Sequence, residues 1–265
     1  MNNTRKRIIE HIINFYRKNW LRCIVAVIYQ IFMAVVFVRN VKIIGEKSTF
    51  EMCWYQSFCG NLEINATNAD KFELPVLWII FQSYILYMLC DYMYDSGKGM
   101  GIQRLIRINS RKKWYLQICL TNIVTIFLYY LSYFLILQTV SNIHNIPLEI
   151  DVGTEKIFEY ALACFVLPIC CTVAIFLVQN LVSLYCTEFI AYIVSLMLLV
   201  VSVYCRTYYL LGNYAMLLRT EFYRKDGLNI YAGIVICLSI AVIAMLIGLI
   251  KVNSIDYIGK ELEET

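Results

Sequence analysis

The chain has 265 residues, of which 60% are hydrophobic and only 16% are charged, and its formal net charge is +4. An ordinary soluble domain carries about 25% charged residues, so this composition excludes one. Eleven glycines and three prolines exclude a fibrous or disordered chain. The small net charge gives no argument for nucleic-acid binding. We therefore predict an all-α fold, a polytopic transmembrane helical bundle with no soluble domain of any size.

The first predicted element is an interfacial helix. In residues 4–20 apolar side chains recur at helical spacing, while Arg5, Lys6 and Lys18 lie mostly elsewhere around the helix. This pattern predicts a cytoplasmic amphipathic helix over residues 1–22, with Trp20 as an aromatic anchor at the interface. A basic segment that only fixes the orientation is the alternative. The predicted apolar side chains are Ile8, Ile9, Ile12, Ile13 and Tyr16.

Six mainly uncharged stretches follow, and a helix needs roughly 20 apolar residues to cross a bilayer. We predict one transmembrane domain over residues 1–265 with six spans. The predicted spans are 23–39, 74–94, 114–140, 160–182, 188–206 and 228–250. The fourth and fifth together would make a helix of roughly 69 Å, too long for one crossing, so a tight hairpin separates them. No small-residue cleavage site follows the first stretch, which excludes a cleaved signal.

The distribution of lysine and arginine predicts the orientation. Fourteen of these residues lie on one predicted side of the membrane and nine on the other. Basic residues accumulate in short cytoplasmic loops, so both termini are expected in the cytoplasm. Four of the nine lie in residues 206–227, against the general bias.

The loop between the second and third predicted spans carries the most specific pattern. Gly97, Gly99 and Gly101 break the preceding helix, and a short helix can follow up to Ile108. Ser110 is suited to cap the next helix. The short helix has an apolar side and a basic side, which suits contact with another protein. A basic turn that only sets topology is the alternative. The residues are Ile102, Leu105 and Ile106 on the apolar side, and Arg104 and Arg107 on the basic side.

Two stretches resemble permeases of the bacterial type-2 ABC exporter family. The first is IQRLIRINSRKKWYLQICLTNIV, where that family shows an arginine and then a Gly-Ser-Arg-Lys-Lys-Trp-like string. Asn109 stands here where glycine is usual. The second is GNYAMLLRTEFYRKDGLNIYAGI, in which Met216 and Arg219 match a recurrent Met-x-x-Arg. The matching residues of the first stretch are Arg107, Ile108, Asn109, Ser110, Arg111, Lys112, Lys113 and Trp114.

The resemblance implies an assembly. Two permease subunits, of the same or homologous chains, would form the path at their interface, and a cytoplasmic ATPase subunit would dock beneath each. Residues 101–108 would be the coupling helix, and residues 206–227 would hold a re-entrant helical piece on the outside. The chain would be a multi-pass protein of a bacterial cell membrane. The implied ATPase-coupling residues are Ile102, Arg104, Leu105, Ile106 and Arg107.

The sequence contains none of the common nucleotide-binding, metal-binding or catalytic patterns. It has no G-x-x-x-x-G-K-[ST] string, so ATP and Mg²⁺ are expected only on a partner ATPase. His11 and His144 are the only histidines, and no metal-ligand or catalytic pattern accompanies them. We therefore expect no catalytic, cofactor-binding or metal-binding residue, and the chain itself is predicted not to be an enzyme.

Two further groups of residues are candidates. Tyr84, Tyr87 and Tyr129 have the character to line a path for bulky amphipathic cargo, or to pack or face lipid instead. Cys53 and Cys59 could form a disulfide in an oxidising environment. The predicted function is export of a peptide, drug-like or lipidic substrate by the permease subunit of an ABC transporter. The alternatives are a membrane-embedded enzyme, a secondary transporter and a non-transporting sensory membrane protein.

Overall fold

The computed structural model describes residues 12–44, 48–62, 72–92, 110–149 and 156–254. Within these ranges the fold is all-α, as predicted, and the one β-bridge is an isolated pair, Thr220 and Leu228. The helices are α1 (Trp20–Ile44), α2 (Phe50–Phe58), α3 (Val76–Cys90), α4 (Arg111–Ile143), α5 (Ile157–Ser183), α6 (Glu188–Tyr204) and α7 (Ile230–Val252).

In the part of the chain that the structure describes, four helices are long and apolar enough to cross a membrane, namely α1, α4, α5 and α7. The other two apolar helices are shorter, with 15 residues in α3 and 17 in α6. Each of the six helices lies on one of the predicted spans, with ends that differ by a few residues. These apolar helices are what a multi-pass membrane protein requires.

The six apolar helices alternate in direction. At one end of the bundle, Arg22 pairs with Asp91 at 2.5 Å and Arg111 donates to the carbonyl oxygen of Asn253 at 3.1 Å. These contacts join the start of α1 to the end of α3, and the start of α4 to the end of α7. We call this the Arg22 end. Residues 205–229, which connect α6 to α7, lie at the opposite end, here called the Arg219 end.

The structure describes only the second half of the predicted interfacial helix, from residue 12 onwards. Residues 12–18 are helical and run almost directly into α1, because the Asn19 amide donates to the Phe15 carbonyl at 2.9 Å. Phe15 is buried and contacts the Tyr92 ring at 5.1 Å, while Ile13 is 59% exposed. Phe15, which was not among the predicted apolar residues, therefore packs onto the bundle, whereas Ile13 points away from it and the predicted insertion of this face into the interface stays a prediction. Ile8 and Ile9 lie outside the described residues.

The nine-residue helix α2 was not predicted. Thr49 caps it by accepting a hydrogen bond from the Met52 amide at 3.4 Å. Phe50, Trp54 and Phe58 lie four residues apart along one face, and all three are buried. That spacing was the available signal, since aromatic residues repeating every four positions fit one face of a helix.

A proline in α5 explains why Trp54 is needed. Pro168 has no N–H group to donate to the carbonyl four residues earlier, which is that of Cys164. The helix takes a π-helical turn over Leu162–Val166, and the indole nitrogen of Trp54 donates to the Cys164 carbonyl at 3.1 Å. Helix α2 therefore supplies a donor in place of the N–H group that Pro168 lacks.

Three side chains bridge the middle of the bundle. The Tyr130 hydroxyl lies 2.7 Å from the Thr172 hydroxyl, and the Gln82 amide donates to Tyr130 at 2.9 Å. The Thr172 hydroxyl also donates to the Gln82 oxygen at 2.8 Å. All three residues are buried, so this network joins α3, α4 and α5. Such interhelical bonds contribute about 0.6 kcal/mol each in membrane proteins and up to about 2.

Two native thiols allow a test of the orientation. Cys186 and Cys205 are exposed and lie just outside opposite ends of α6. With the Arg22 end in the cytoplasm, a membrane-impermeant maleimide should label Cys205 in intact cells and Cys186 only after permeabilisation. Labelling is measured by mass spectrometry of the purified chain.

The variants Cys186→Ser and Cys205→Ser are the matched controls, because each removes one of the two signals. Labelling of Cys186 in intact cells would reverse the assigned orientation.

Candidate functional site

The predicted ATPase-coupling residues Ile102, Arg104, Leu105, Ile106 and Arg107 lie outside the described residues. The structure does describe what flanks them. Asp91 is the C-cap of α3, and Ser110 caps α4 by accepting a hydrogen bond from the Lys113 amide at 3.4 Å. The predicted cap at Ser110 is therefore confirmed, and residues 93–109 connect the end of α3 to the start of α4, both of which lie at the Arg22 end.

An ion pair surrounded by tyrosines lies beside this connection. The Arg22 guanidinium bonds Asp91 at 2.5 Å and lies over the Tyr87 ring, 5.0 Å from its centroid. The Tyr84 hydroxyl donates to the Arg22 carbonyl at 2.7 Å. The Tyr87 ring lies 6.2 Å from that of Tyr84 and 5.9 Å from that of Tyr192 on α6. These five residues form what we call the Arg22 cluster, and they join α1, α3 and α6.

The Arg22 cluster is half exposed and charged. The side chains of Arg22 and Asp91 are 30% and 40% exposed. Burial opposes ionisation of Asp91, but bonds from the Cys90 thiol and Arg22, together with the charges of Arg22 and Lys18, lower its pKa below the ordinary 3.8. The ionised Asp91 carboxylate therefore stabilises the fold at pH values above its ordinary pKa, and this stabilisation is lost as the pH falls through the lowered pKa. Asp91 is therefore ionised at neutral pH.

The three tyrosines predicted to line a path fall in two places. Tyr84 and Tyr87 belong to the Arg22 cluster, and Tyr87 is 40% exposed. Tyr129 lies in the core, where its hydroxyl donates to the Phe81 carbonyl at 3.2 Å and its side chain is 5% exposed. In this conformation Tyr129 therefore packs within the chain, whereas Tyr84 and Tyr87 remain candidates.

Asp91 and Arg22 were not among the residues predicted from the sequence. A signal for their pairing was present, because both lie at the ends of consecutive predicted spans on the same side. Consecutive antiparallel helices bring such ends together.

Residues 205–229 turn back into the bundle at the Arg219 end. They contain two short 3₁₀ helices, Leu211–Ala215 and Leu217–Arg219. Trp78 at the start of α3 donates to the Ala215 carbonyl at 3.1 Å, and the Cys171 thiol of α5 donates to the Leu211 carbonyl at 2.9 Å. The segment starts and finishes at the same end of the bundle, and it contains the range for which the resemblance implied a re-entrant piece.

Arg219 holds this segment in place. Its side chain is fully buried and donates to the carbonyls of Ser202, Val203 and Cys205, which end α6. It also donates to the Asn61 carbonyl at 2.7 Å and to the Asn213 side chain. The last carbonyls of a helix lack partners within it and carry partial negative charge, so a buried guanidinium there is stabilised. Arg219 therefore serves as the C-terminal cap of α6.

A cavity of about 340 Å³ opens beside this segment. It is lined by residues from the ends of α1, α2 and α3, including Phe37, Gln56, Cys59, Glu73 and Trp78. The lining is part apolar and part polar, as a site for an amphipathic molecule would be.

The structure does not bring together Cys53 and Cys59, the two candidates for a disulfide. Both thiols are free. Cys53 lies within α2 and Cys59 follows its last turn with helical backbone angles. Six helical residues advance the chain by about 9 Å, whereas disulfides need Cα atoms within about 7 Å. The pairing is therefore excluded in this conformation.

Among the described residues no group of three or more His, Cys, Asp or Glu could hold a metal ion. Comparisons with protein-family models, curated proteins and solved structures returned no match to this chain.

The role of Arg219 can be tested by its removal. In Arg219→Ala the last carbonyls of α6 lose a charged donor, and bonds of this kind are worth about 1.5–3 kcal/mol each. We expect a loss of about 3 kcal/mol, which lowers the melting temperature of the purified chain by roughly 6–12 °C. The melting temperature of Arg219→Lys should lie between those of the wild type and Arg219→Ala, because lysine keeps the charge but lacks the several N–H donors of the guanidinium.

Lys225→Ala is the matched control, since it removes the same charge from an exposed position of the same segment. Equal melting temperatures for Arg219→Ala and Lys225→Ala would refute the capping role.

Proposed function

We propose that the chain is the transmembrane permease subunit of an ABC exporter, with six spans and both of its ends in the cytoplasm. Two permease subunits, the same or homologous, form the path across a bacterial cell membrane. A separate cytoplasmic ATPase subunit binds ATP and Mg²⁺ and drives the export of a peptide, drug-like or lipidic substrate.

One observation carries most of the support for this proposal. Six apolar helices alternate in direction, and the connection from the fifth to the sixth turns back into the bundle at the Arg219 end. An exporter of the resembled family combines these same features. The two shorter helices, α3 and α6, pack against each other. The proposal of six spans requires that both of them also cross the membrane.

In this proposal the energy for transport comes from a partner ATPase. The chain contains no nucleotide-binding string, so movement has to come from a partner. The connection between α3 and α4 is the place for that partner, because its apolar and basic sides suit a helix that binds in a groove. Buried apolar anchors contribute more to such binding than charges at the rim.

The decisive experiment uses Leu105→Asp in the tagged full-length chain. A charge on the apolar side of the predicted coupling helix would have to be desolvated in the partner interface, at a cost of about 3–5 kcal/mol. We expect the ATPase subunit to be lost from the purified complex and export to fall with it. Membrane abundance should not change, since the residue lies in a connection rather than in a span.

Gln103→Asp is the matched control, because it introduces the same charge two positions away, on the opposite side of the predicted helix. Arg104→Ala should have a smaller effect than Leu105→Asp. The proposal fails if no ATPase accompanies the wild-type chain, or if Leu105→Asp retains normal ATPase binding and export.

A further inference from the structure

The Arg22 cluster already holds an organic cation, which is the chain's own guanidinium. Arg22 lies over the face of Tyr87 at 5.0 Å and bonds the Asp91 carboxylate at 2.5 Å. A ring face combined with a carboxylate is the arrangement that proteins use to bind ammonium and guanidinium ligands. The Arg22 side chain therefore indicates that the cluster can bind an organic cation.

The aromatic part of the cluster extends beyond what Arg22 covers. Tyr84 and Tyr192 flank Tyr87 with ring centroids at 6.2 and 5.9 Å. Three rings from α3 and α6 therefore adjoin one another, and the middle one, Tyr87, shares the Arg22 guanidinium with the Asp91 carboxylate. Tyr87 is 40% exposed and the Asp91 side chain is also 40% exposed, so a ligand can reach both.

The position of the cluster indicates the direction from which a ligand comes. Arg22 lies in the first turn of α1 and Asp91 directly follows α3, so the cluster lies where these helices leave the apolar layer. Exposed apolar side chains continue from it along α1, among them Val25, Ile28 and Phe32. An amphiphile in the adjacent leaflet would hold its head group at the level of Asp91 and its chain beside α1.

We propose that the Arg22 cluster is a binding site for cationic amphiphiles of the adjacent leaflet, in which Asp91 and the rings of Tyr84, Tyr87 and Tyr192 bind the cation. Arg22 occupies this site in the structure and must leave it when the ligand binds. The assignment of this ligand as the transported substrate rests on the proposed function, whereas the binding itself does not.

Arg22 is able to leave the site. Its long side chain starts at the membrane surface, where arginine can extend its charged group into water. Its pair with Asp91 is part exposed, and exposed pairs contribute little to stability. Arg22 therefore acts as an internal competitor, and its removal should strengthen binding of an external cation. The removal of Asp91 should have the opposite effect.

The test measures binding of labelled decyltrimethylammonium to the purified chain by equilibrium dialysis. The chain is held in nanodiscs of phosphatidylethanolamine and phosphatidylglycerol, which carry no quaternary ammonium, and empty nanodiscs give the background. Decyl sulfate, with the same chain and the opposite charge, is the matched ligand. No ATPase is needed, so a failure here is distinct from a failure of the exporter proposal.

We expect Arg22→Gln to tighten binding about two- to fivefold, in proportion to the weak pair it removes. Asp91→Asn should weaken binding about tenfold, since it removes a charge-assisted contact. Tyr87→Leu should weaken it about threefold or more through the lost ring face. Arg111→Gln is the control, because it removes the same charge at the same end outside the cluster, and it should leave binding unchanged.

Three outcomes would overturn the proposal. Weaker binding in both Arg22→Gln and Asp91→Asn would mean that the ion pair is only structural. Preference for decyl sulfate, lost in Arg22→Gln, would mean that the site binds anions. Wild-type binding no greater than that of empty nanodiscs would mean that there is no site. If Asp91→Asn does not fold, Tyr87→Leu decides, because Tyr87 is 40% exposed and contributes to the cluster through its ring.

Discussion

A hydrocarbon environment offers no hydrogen bonds, so wherever a helix is interrupted another part of the chain has to bond the exposed peptide groups. This constraint organises the Arg219 end. Trp54 bonds the carbonyl left open by Pro168, Arg219 bonds the last carbonyls of α6, and Trp78 bonds the 3₁₀ segment. The three donors belong to different elements, and they connect α2 to α5, residues 205–229 to α6, and α3 to residues 205–229.

Arg219 and Arg22 differ in burial and in the number of their partners, and this difference separates their roles. Arg219 is fully buried and bonds the main chain at several points, so its displacement would break several elements at once. Arg22 is 30% exposed and meets one carboxylate and one ring. A side chain with few and accessible partners can be exchanged for a ligand, whereas one that supports the ends of a helix cannot. One end of the bundle is therefore built for rigidity and the other for exchange.

The helices could be predicted from the sequence because the apolar stretches are long and bounded by charges. Helix α2 was missed because nine residues between two charged stretches give a weak signal, and its stability comes from Trp54 and Phe58 packing against distant helices. The role of Arg219 was out of reach for a related reason. Its partners lie up to 158 positions away in sequence. A positive charge predicted on the outer side of the membrane also ran against the tendency of basic residues to lie in cytoplasmic loops.

The two shorter apolar helices have a consequence for the surrounding lipid. Helices of 15 and 17 residues are roughly 23 and 26 Å long, and the hydrocarbon core is about 30 Å thick. Since α3 and α6 pack against each other, the two shortfalls lie next to each other in the bundle. In the proposed six-span arrangement the bilayer there must thin by about 4–7 Å or accept polar groups below its surface. A lipid beside these two helices would have a shorter distance to travel between leaflets than a lipid beside the longer helices α1, α4, α5 and α7.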